Sequence, residues 1–218
     1  MKGQNDLRYA PVKRGLDLAL ALPALVLSLP IQAAAAVAIR ATMGSPVFFR
    51  QTRPGLHGEP FEMVKFRTMH LVDEASGRVT DEQRMTAVGS FLRSTSIDEL
   101  PTLWNIVKGD MSLVGPRPLL MKYLPLYSPT QARRHEAKPG LTGLAQASGR
   151  NALSWEERFD LDVEYVDHQS LALDLHIIAM TVGAVLRRDG IAQEGQATMT
   201  EFTGSALQPA TTEGRSRA

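Results

Sequence analysis

From Leu18 to Ile39 the chain carries no charged residue. Wound as a helix, those 22 residues rise roughly 1.5 Å each and reach about 33 Å, enough to cross the hydrocarbon core of a bilayer. Pro30 sits near the middle of the run, and Pro23, Ser28 and Gln32 also interrupt it. Proline removes a backbone donor and crowds the preceding turn, so a kink at Pro30 is predicted. Both flanks are basic, with Lys13 and Arg14 before and Arg40, Arg50 and Arg53 after. A simple span concentrates its positive charge on one side. Charge on both sides of a broken helix favours a segment that dips into one leaflet and returns to the same face, with Ser28 or protein packing meeting the backbone groups opened at Pro30. Two other readings compete: a straight transmembrane helix, and a cleaved signal peptide with the small residues Ala33 to Ala36 near its cleavage site. Against cleavage stand the length of the run, its two prolines and the basic residues that follow.

The rest of the 218 residues is enough for one domain. The expected organisation is a membrane-associated re-entrant segment over 1–42, one compact cytosolic-type domain over 43–202, and a tail over 203–218 whose composition suits disorder. The fold class is α+β and helix-dominated, with one short β-hairpin. A net charge of +1 gives no basic field for nucleic acid. Cysteine is absent, which excludes disulfides, thiol catalysis and thiolate metal sites, and the five histidines show no ligand spacing.

Val47–Arg53 and Phe61–Thr68 read as strands around a turn at Gly55-Leu-His-Gly58. Lys65 and Arg67, two apart on the second strand, would face one way about 7 Å apart, a spacing that suits two oxygens of a diphosphate or two solvated charges equally. His70–Arg84 is polar and reads as loop; Arg84–Leu92 reads as helix, with Val88, Phe91 and Leu92 supplying apolar contacts. Ile97, Leu100, Trp104 and Val107 recur at helical spacing before a stop at Gly109. Ser128-Pro129 and Ser154-Trp-Glu-Glu157 mark further helix starts. Arg133, Arg134 and Lys138 form a basic cluster suited to anionic headgroups or to a solvated helix face. The segment Lys138–Gln146 is too rich in turn residues for a regular helix. The acidic residues after Trp155, Asp162 among them, read mostly as a solvated face. Leu171–Leu186 is apolar but short and interrupted by Asp174 and His176, so it reads as a packed or interfacial helix.

The chemistry concentrates at Arg93-Ser-Thr-Ser-Ile-Asp98-Glu99-Leu-Pro101 and at Gly115-Pro-Arg117-Pro118. Two adjacent carboxylates between arginines can hold a metal-bound diphosphate and attack it. At a helix start the positive end of the dipole favours anions and would keep Asp98 ionised as a nucleophile. The same residues also match a capping box, with Ser96 bonding a free amide and Glu99 reaching back, which leaves a non-catalytic membrane-anchored scaffold as the alternative. Prolines on either side restrict Arg117, whose planar fork suits phosphate oxygens.

Taken together, Lys13-Arg14-Gly-Leu-Asp17, Pro46-Val-Phe-Phe-Arg-Gln, Lys65-Phe-Arg-Thr-Met69, Asp98-Glu99-Leu-Pro, Gly109–Pro118 and Pro139–Gln146 resemble the bacterial monotopic phosphoglycosyl transferases, also called polyprenyl-phosphate sugar-1-phosphate transferases. Arg150-Asn-Ala-Leu-Ser-Trp155 and Gln193-Glu-Gly195 carry a narrower likeness to the small enzymes that use a bacillosamine-type phosphosugar. The resemblance implies transfer of a phosphosugar, N-acetylated and bacillosamine-like, from a UDP-sugar to undecaprenyl phosphate at the cytoplasmic face of the bacterial inner membrane, with release of UMP. It casts Asp98 as the nucleophile and Glu99 as a ligand of Mg2+, with Lys65, Arg67, Arg93, Arg117 and Arg150 as substrate-binding candidates. It leaves a homodimer open. The Ser-Pro pair at which this family breaks its membrane helix reads here as Leu29-Pro30, with Ser28 one residue early.

Overall fold

A computed structural model describes residues 3–149, 153–187 and 201–204. Its first element, α1 (Gly3–Met43), continues as helix through Pro11, Pro23 and Pro30. Ser28 is buried, and its hydroxyl donates to the carbonyl of Leu25 (3.0 Å) while accepting from Gln32 Nε2 (2.9 Å). That carbonyl is not the one on Val26, which Pro30 deprives of its helical donor. The buried positions of α1 are Lys13, Asp17, Ala21, Ser28, Ala35 and Ile39, a stripe that recurs every four or seven residues. Its opposite face leaves Val26, Leu27, Leu29, Ile31 and Val37 half or more exposed.

The stripe meets two apolar clusters. Ala21 packs with Met63, Leu103, Ile106 and Met111; Ala35 and Ile39 pack with Phe66 and Leu92. Polar bonds fix the amino-terminal half as well. Arg14 donates to the carbonyls of Ile106 (2.6 Å) and Val107 (2.7 Å), and Asp17 accepts from Ser112 Oγ and Leu113 N (both 2.9 Å). Lys13 pairs with Asp174 (2.5 Å) and donates to Tyr165 Oη (2.9 Å). Asp174, which interrupts an otherwise apolar helix, is fully buried because it is the counter-charge of Lys13.

The predicted hairpin is present as β1 (Phe48–Pro54) antiparallel to β2 (Pro60–Phe66), with Phe48 opposite Phe66 and Phe49 opposite Lys65. The free edge of β2 is satisfied by side chains. Asn105 accepts from Val64 N (3.1 Å) and donates to Glu62 O (2.7 Å), and Thr102 donates to Val64 O (3.0 Å). Between 70 and 84 the expected loop contains one short helix, α2 (Asp81–Arg84), capped by Thr80. The next, α3 (Ala87–Ser94), starts later than expected, because Thr86 caps it and Met85 pairs with Met69. Leu92 is buried, but Phe91 points outward and is 59% exposed. Gly89 is where α3 touches the chain after β2: a Cβ there would lie 1.7 Å from the Thr68 carbonyl.

The helix expected to begin at Ser96 is in fact two pieces. A 3-10 turn spans Ile97–Glu99, and α4 (Thr102–Lys108) follows, ending as predicted at Gly109 in the left-handed region. Ser96 is itself left-handed (φ 55°) and makes no side-chain cap, so the Ser96–Glu99 capping box does not form. Pro101 precedes α4, where its missing N–H costs the helix nothing. Beyond α4, β3 (Ser112–Val114) runs parallel to β4 (Gly140–Thr142). This approach requires glycine: a Cβ on Gly140 would lie 2.1 Å from Gly115 N.

Ser128 caps α5 (Pro129–Ala132) and Ser154 caps α7 (Trp155–Asp167), each through a complete capping box. Within the segment expected to lack helix lies α6 (Leu144–Ser148). The chain then forms α8 (Leu171–Arg187). Tyr123, Phe159 and Phe202 make an aromatic cluster with Tyr127 and Trp155. Of the expected tail, Thr203 and Gly204 are described and the remainder lies outside the described residues. Two surface assignments are corrected here. Arg134 and Asp162 are neither headgroup contacts nor a solvated face: they are 2% and 5% exposed and paired at 2.6 Å.

Candidate active site

The 3-10 turn presents its two carboxylates differently. Glu99 Oε1 accepts from Lys65 Nζ (2.5 Å) and from Arg117 Nη2 (3.1 Å). Burial alone would raise its pKa, but Arg117 and Lys65 outweigh that and hold it at about 2. The ion pairs of this cluster go to Glu99, not to Asp98. Burial, and then the neighbouring Glu99 charge, push Asp98 up to about 6, against the opposing pull of Lys65, Arg93 and Arg117. A helix start would make Asp98 a stabilised anion; here it is a carboxyl whose ionisation is costly and which no cation pairs with among the described residues. That is a reactive arrangement, since a carboxylate bound by no cation keeps its lone pairs for an electrophile.

Each neighbour is placed by local structure. Lys65 alternates inward from β2, whose edge α4 holds through Asn105 and Thr102. Arg93 leaves the last turn of α3, where its Nε donates to Thr68 Oγ1 (2.9 Å). Arg117 sits between two prolines on the loop after β3, and Arg134 Nη2 donates to the Arg117 carbonyl (2.7 Å). Lys65, Glu99 and Arg117 line one small cleft of about 80 Å3 together with Met63, Met111 and Leu141.

The structure thus gathers Lys65, Arg93, Asp98, Glu99 and Arg117. Arg67 is not with them: its guanidinium donates to the carbonyls of Met43 (2.8 Å), Gly44 (2.7 Å) and Ser45 (3.2 Å) and holds the end of α1. The strand ends at Phe66, so the alternation that would have put Arg67 beside Lys65 stops one residue short. Arg150 lies outside the described residues. Sequence reasoning missed Arg53, which lines the same cleft, and the Arg134–Asp162 pair behind Arg117. The register carries a signal for Arg53, because alternate residues of β1 share the face of Lys65. Nothing local signals a pair separated by 28 positions.

Among the described residues no three His, Asp or Glu side chains converge as a metal cage. Magnesium does not need one: it is commonly held by one or two carboxylates with substrate phosphates and water completing its shell.

A family model described as "Bacterial sugar transferase" matches residues 8–188. The chain belongs to that family. It is 54% identical over 195 residues to an uncharacterized sugar transferase, EpsL, of Bacillus subtilis (strain 168), covering 89% of this chain and 96% of that one. It is 43% identical to a UDP-glucose:undecaprenyl-phosphate glucose-1-phosphate transferase of Caulobacter vibrioides, over 84% of this chain and 72% of the relative. A protein of the same description from Escherichia coli K12 is 37% identical over 84% of this chain, which spans only 41% of that longer relative. Within this bacterial sugar transferase the match takes in α1, the hairpin, the acidic turn and α7 together.

Proposed function

We propose that this sugar transferase moves a phosphosugar from a UDP-sugar to undecaprenyl phosphate in two displacements at Asp98. In the first, a carboxylate oxygen of Asp98 attacks the sugar-bearing phosphorus, the bond from that phosphorus to the bridging oxygen breaks, and UMP leaves with the electron pair. In the second, a phosphate oxygen of the lipid attacks the same phosphorus and frees Asp98, giving a polyprenyl-diphosphate sugar. The observation that carries this reading is the split of the pair. Glu99 is clamped by two cations while Asp98, beside it, is bound by none of them.

Arg117 and Lys65 stand where negative charge gathers on the leaving phosphate, and Arg93 adds a third cation near Asp98. Magnesium would be held by Glu99 and the diphosphate oxygens, and when bound it neutralises that diphosphate. Both cations bond to Oε1 of Glu99, so its Oε2 would be the metal's ligand. The expected result is UMP release from a UDP-sugar by the purified protein, lost on chelation of the metal and lost in Asp98→Asn. Full turnover by Asp98→Asn would refute the nucleophile.

The sugar is proposed as N-acetylated and bacillosamine-like, on the narrower likeness at 150–155 and 193–195. Two of the relatives named above are described as glucose-1-phosphate transferases, so a panel of UDP-sugars scored by UMP release decides it. A preference for UDP-glucose would overturn the assignment.

We also propose that α1 enters the cytoplasmic leaflet of the inner membrane and does not cross it. Lys13, Arg14 and Asp17 at one end, and Ala35 and Ile39 at the other, pack on the same globular body. A helix threaded through about 30 Å of hydrocarbon cannot keep both ends against a domain on one side. Tags at the two termini should be accessible from the same face; opposite faces would refute the re-entrant reading.

A further inference from the structure

The cleft beside the acidic turn holds one cation that the mechanism has not used. Arg53 stands near the end of β1, on the hairpin face shared with Lys65 and Met63. Its Nη2 donates to Gln51 Oε1 (2.6 Å) and its Nη1 makes a long bond to the Pro118 carbonyl (3.3 Å). Its Nε is buried and meets no acceptor among the described residues. Among the described residues no carboxylate pairs with it there, and the strongest charge acting on it is that of Arg117, a second guanidinium. Burial, and then that like charge, lower its pKa to about 10. Even a half-buried arginine is normally matched by a carboxylate or another anion. Here three cations, Arg53, Lys65 and Arg117, share a cleft lined by a single carboxylate, Glu99. The excess of two positive charges equals the charge of a diphosphate esterified at both ends.

We propose that Arg53 is a phosphate-binding residue of this cleft, offering its guanidinium to phosphoryl oxygens together with Arg117 and Lys65. The proposal deepens the transfer reaction and rests on it. The phosphoryl group is shared chemistry: the diphosphate of the nucleotide sugar or the phosphate of the lipid acceptor. Each Nη carries a second N–H beyond its bond to Gln51 or to the Pro118 carbonyl, and the Pro118 bond ties Arg53 to the loop that carries Arg117.

The test uses the full chain in detergent, with inorganic pyrophosphate as the binding probe and UMP release as the kinetic readout. Arg53→Gln should weaken pyrophosphate binding about ten-fold, the value of one charged hydrogen bond. Arg53→Lys, which keeps a charge but loses the guanidinium fork, should fall between that variant and the parent. Arg50→Gln, on the same strand as Arg53 but with its arginine paired to exposed Glu62 of β2, should bind as the parent does. A raised KM for the UDP-sugar with the lipid KM unchanged assigns the donor diphosphate; the reverse assigns the lipid phosphate. Pyrophosphate binding and both KM values at parental levels in Arg53→Gln would overturn the proposal. If Arg53→Gln shows no folded baseline, Arg53→Lys carries the same test, and parental binding there overturns it. A parent protein that binds pyrophosphate through Arg53 yet releases no UMP from any UDP-sugar would refute the transfer reaction and leave the site standing.

Discussion

Arg134 and Asp162 allow stability and activity to be separated. The guanidinium donates twice to Asp162 Oδ2, from Nε at 3.0 Å and from Nη2 at 2.6 Å, and Nη2 also donates to the Arg117 carbonyl. Both side chains are almost completely enclosed. Tyr127 and Phe159 lie against the guanidinium, so no water is positioned to replace a lost partner. Arg134→Met strands a carboxylate whose pKa burial already raises, and breaking one side of such a pair costs about 3–5 kcal/mol. Replacing both, as Arg134→Met with Asp162→Leu, removes the stranded charge and should recover most of that loss. It does not restore the bond to the Arg117 carbonyl, a charged hydrogen bond worth about 1.5–3 kcal/mol, so UMP release should stay at least about ten-fold down. Denaturant unfolding in detergent and UMP release on the same preparations measure the two quantities. A single variant that loses less than about 1 kcal/mol, or a double variant as unstable as the two singles summed, would refute the account of the pair. A double variant with parental turnover would refute the role given to the Arg117 carbonyl.

UMP release should climb as pH rises through about 6, because Asp98 must be ionised to attack, and Lys65→Met should move that limb to higher pH by removing a cation that favours the anion; a rate flat from pH 5 to 8 would contradict this. Glu99 acts oppositely on stability. Its folded pKa lies below its unfolded value, so its contribution is present above about 4.5 and is lost as pH falls toward about 2, which acid titration of the unfolding midpoint should reveal against Glu99→Gln. Gly140→Ala forces a Cβ to 2.1 Å from Gly115 N and should cost at least about 2 kcal/mol by parting β3 from β4, with activity falling alongside. Gly15→Ala, in the interior of α1 with nothing within 4 Å, should instead raise thermal stability by about 0.5–1 kcal/mol.

What could be read from the sequence was what is local. The hairpin, the Ser128 and Ser154 caps and the stop at Gly109 each depend on residues within a few positions, and each is present. The capping box at Ser96 failed because Ser96 adopts a left-handed backbone and Glu99 is drawn away by Lys65 and Arg117. Alternation put Lys65 beside Glu99, and the end of the strand at Phe66 took Arg67 elsewhere. The reason for Asp174 in an apolar helix and the burial of Asp162, read as a solvated face, are both illegible locally. The partners of these two aspartates, Lys13 and Arg134, are 161 and 28 residues away, and no periodicity marks a charge that is neutralised across the fold.

The stripe along α1 has a consequence for what this transferase can be made into. Ala21 closes one cluster with Leu103, Ile106 and Met111, and Ala35 and Ile39 close another with Phe66 and Leu92. α4 follows the acidic turn directly, and α3 carries Arg93. Cutting the chain after Met43 would therefore wet the packing beneath the acidic turn and remove the Lys13 counter-charge of Asp174, so no water-soluble fragment starting there should retain the site. Lipid attachment and catalytic geometry are one inheritance of the first helix, and the enzyme has to be purified with its membrane segment or not at all.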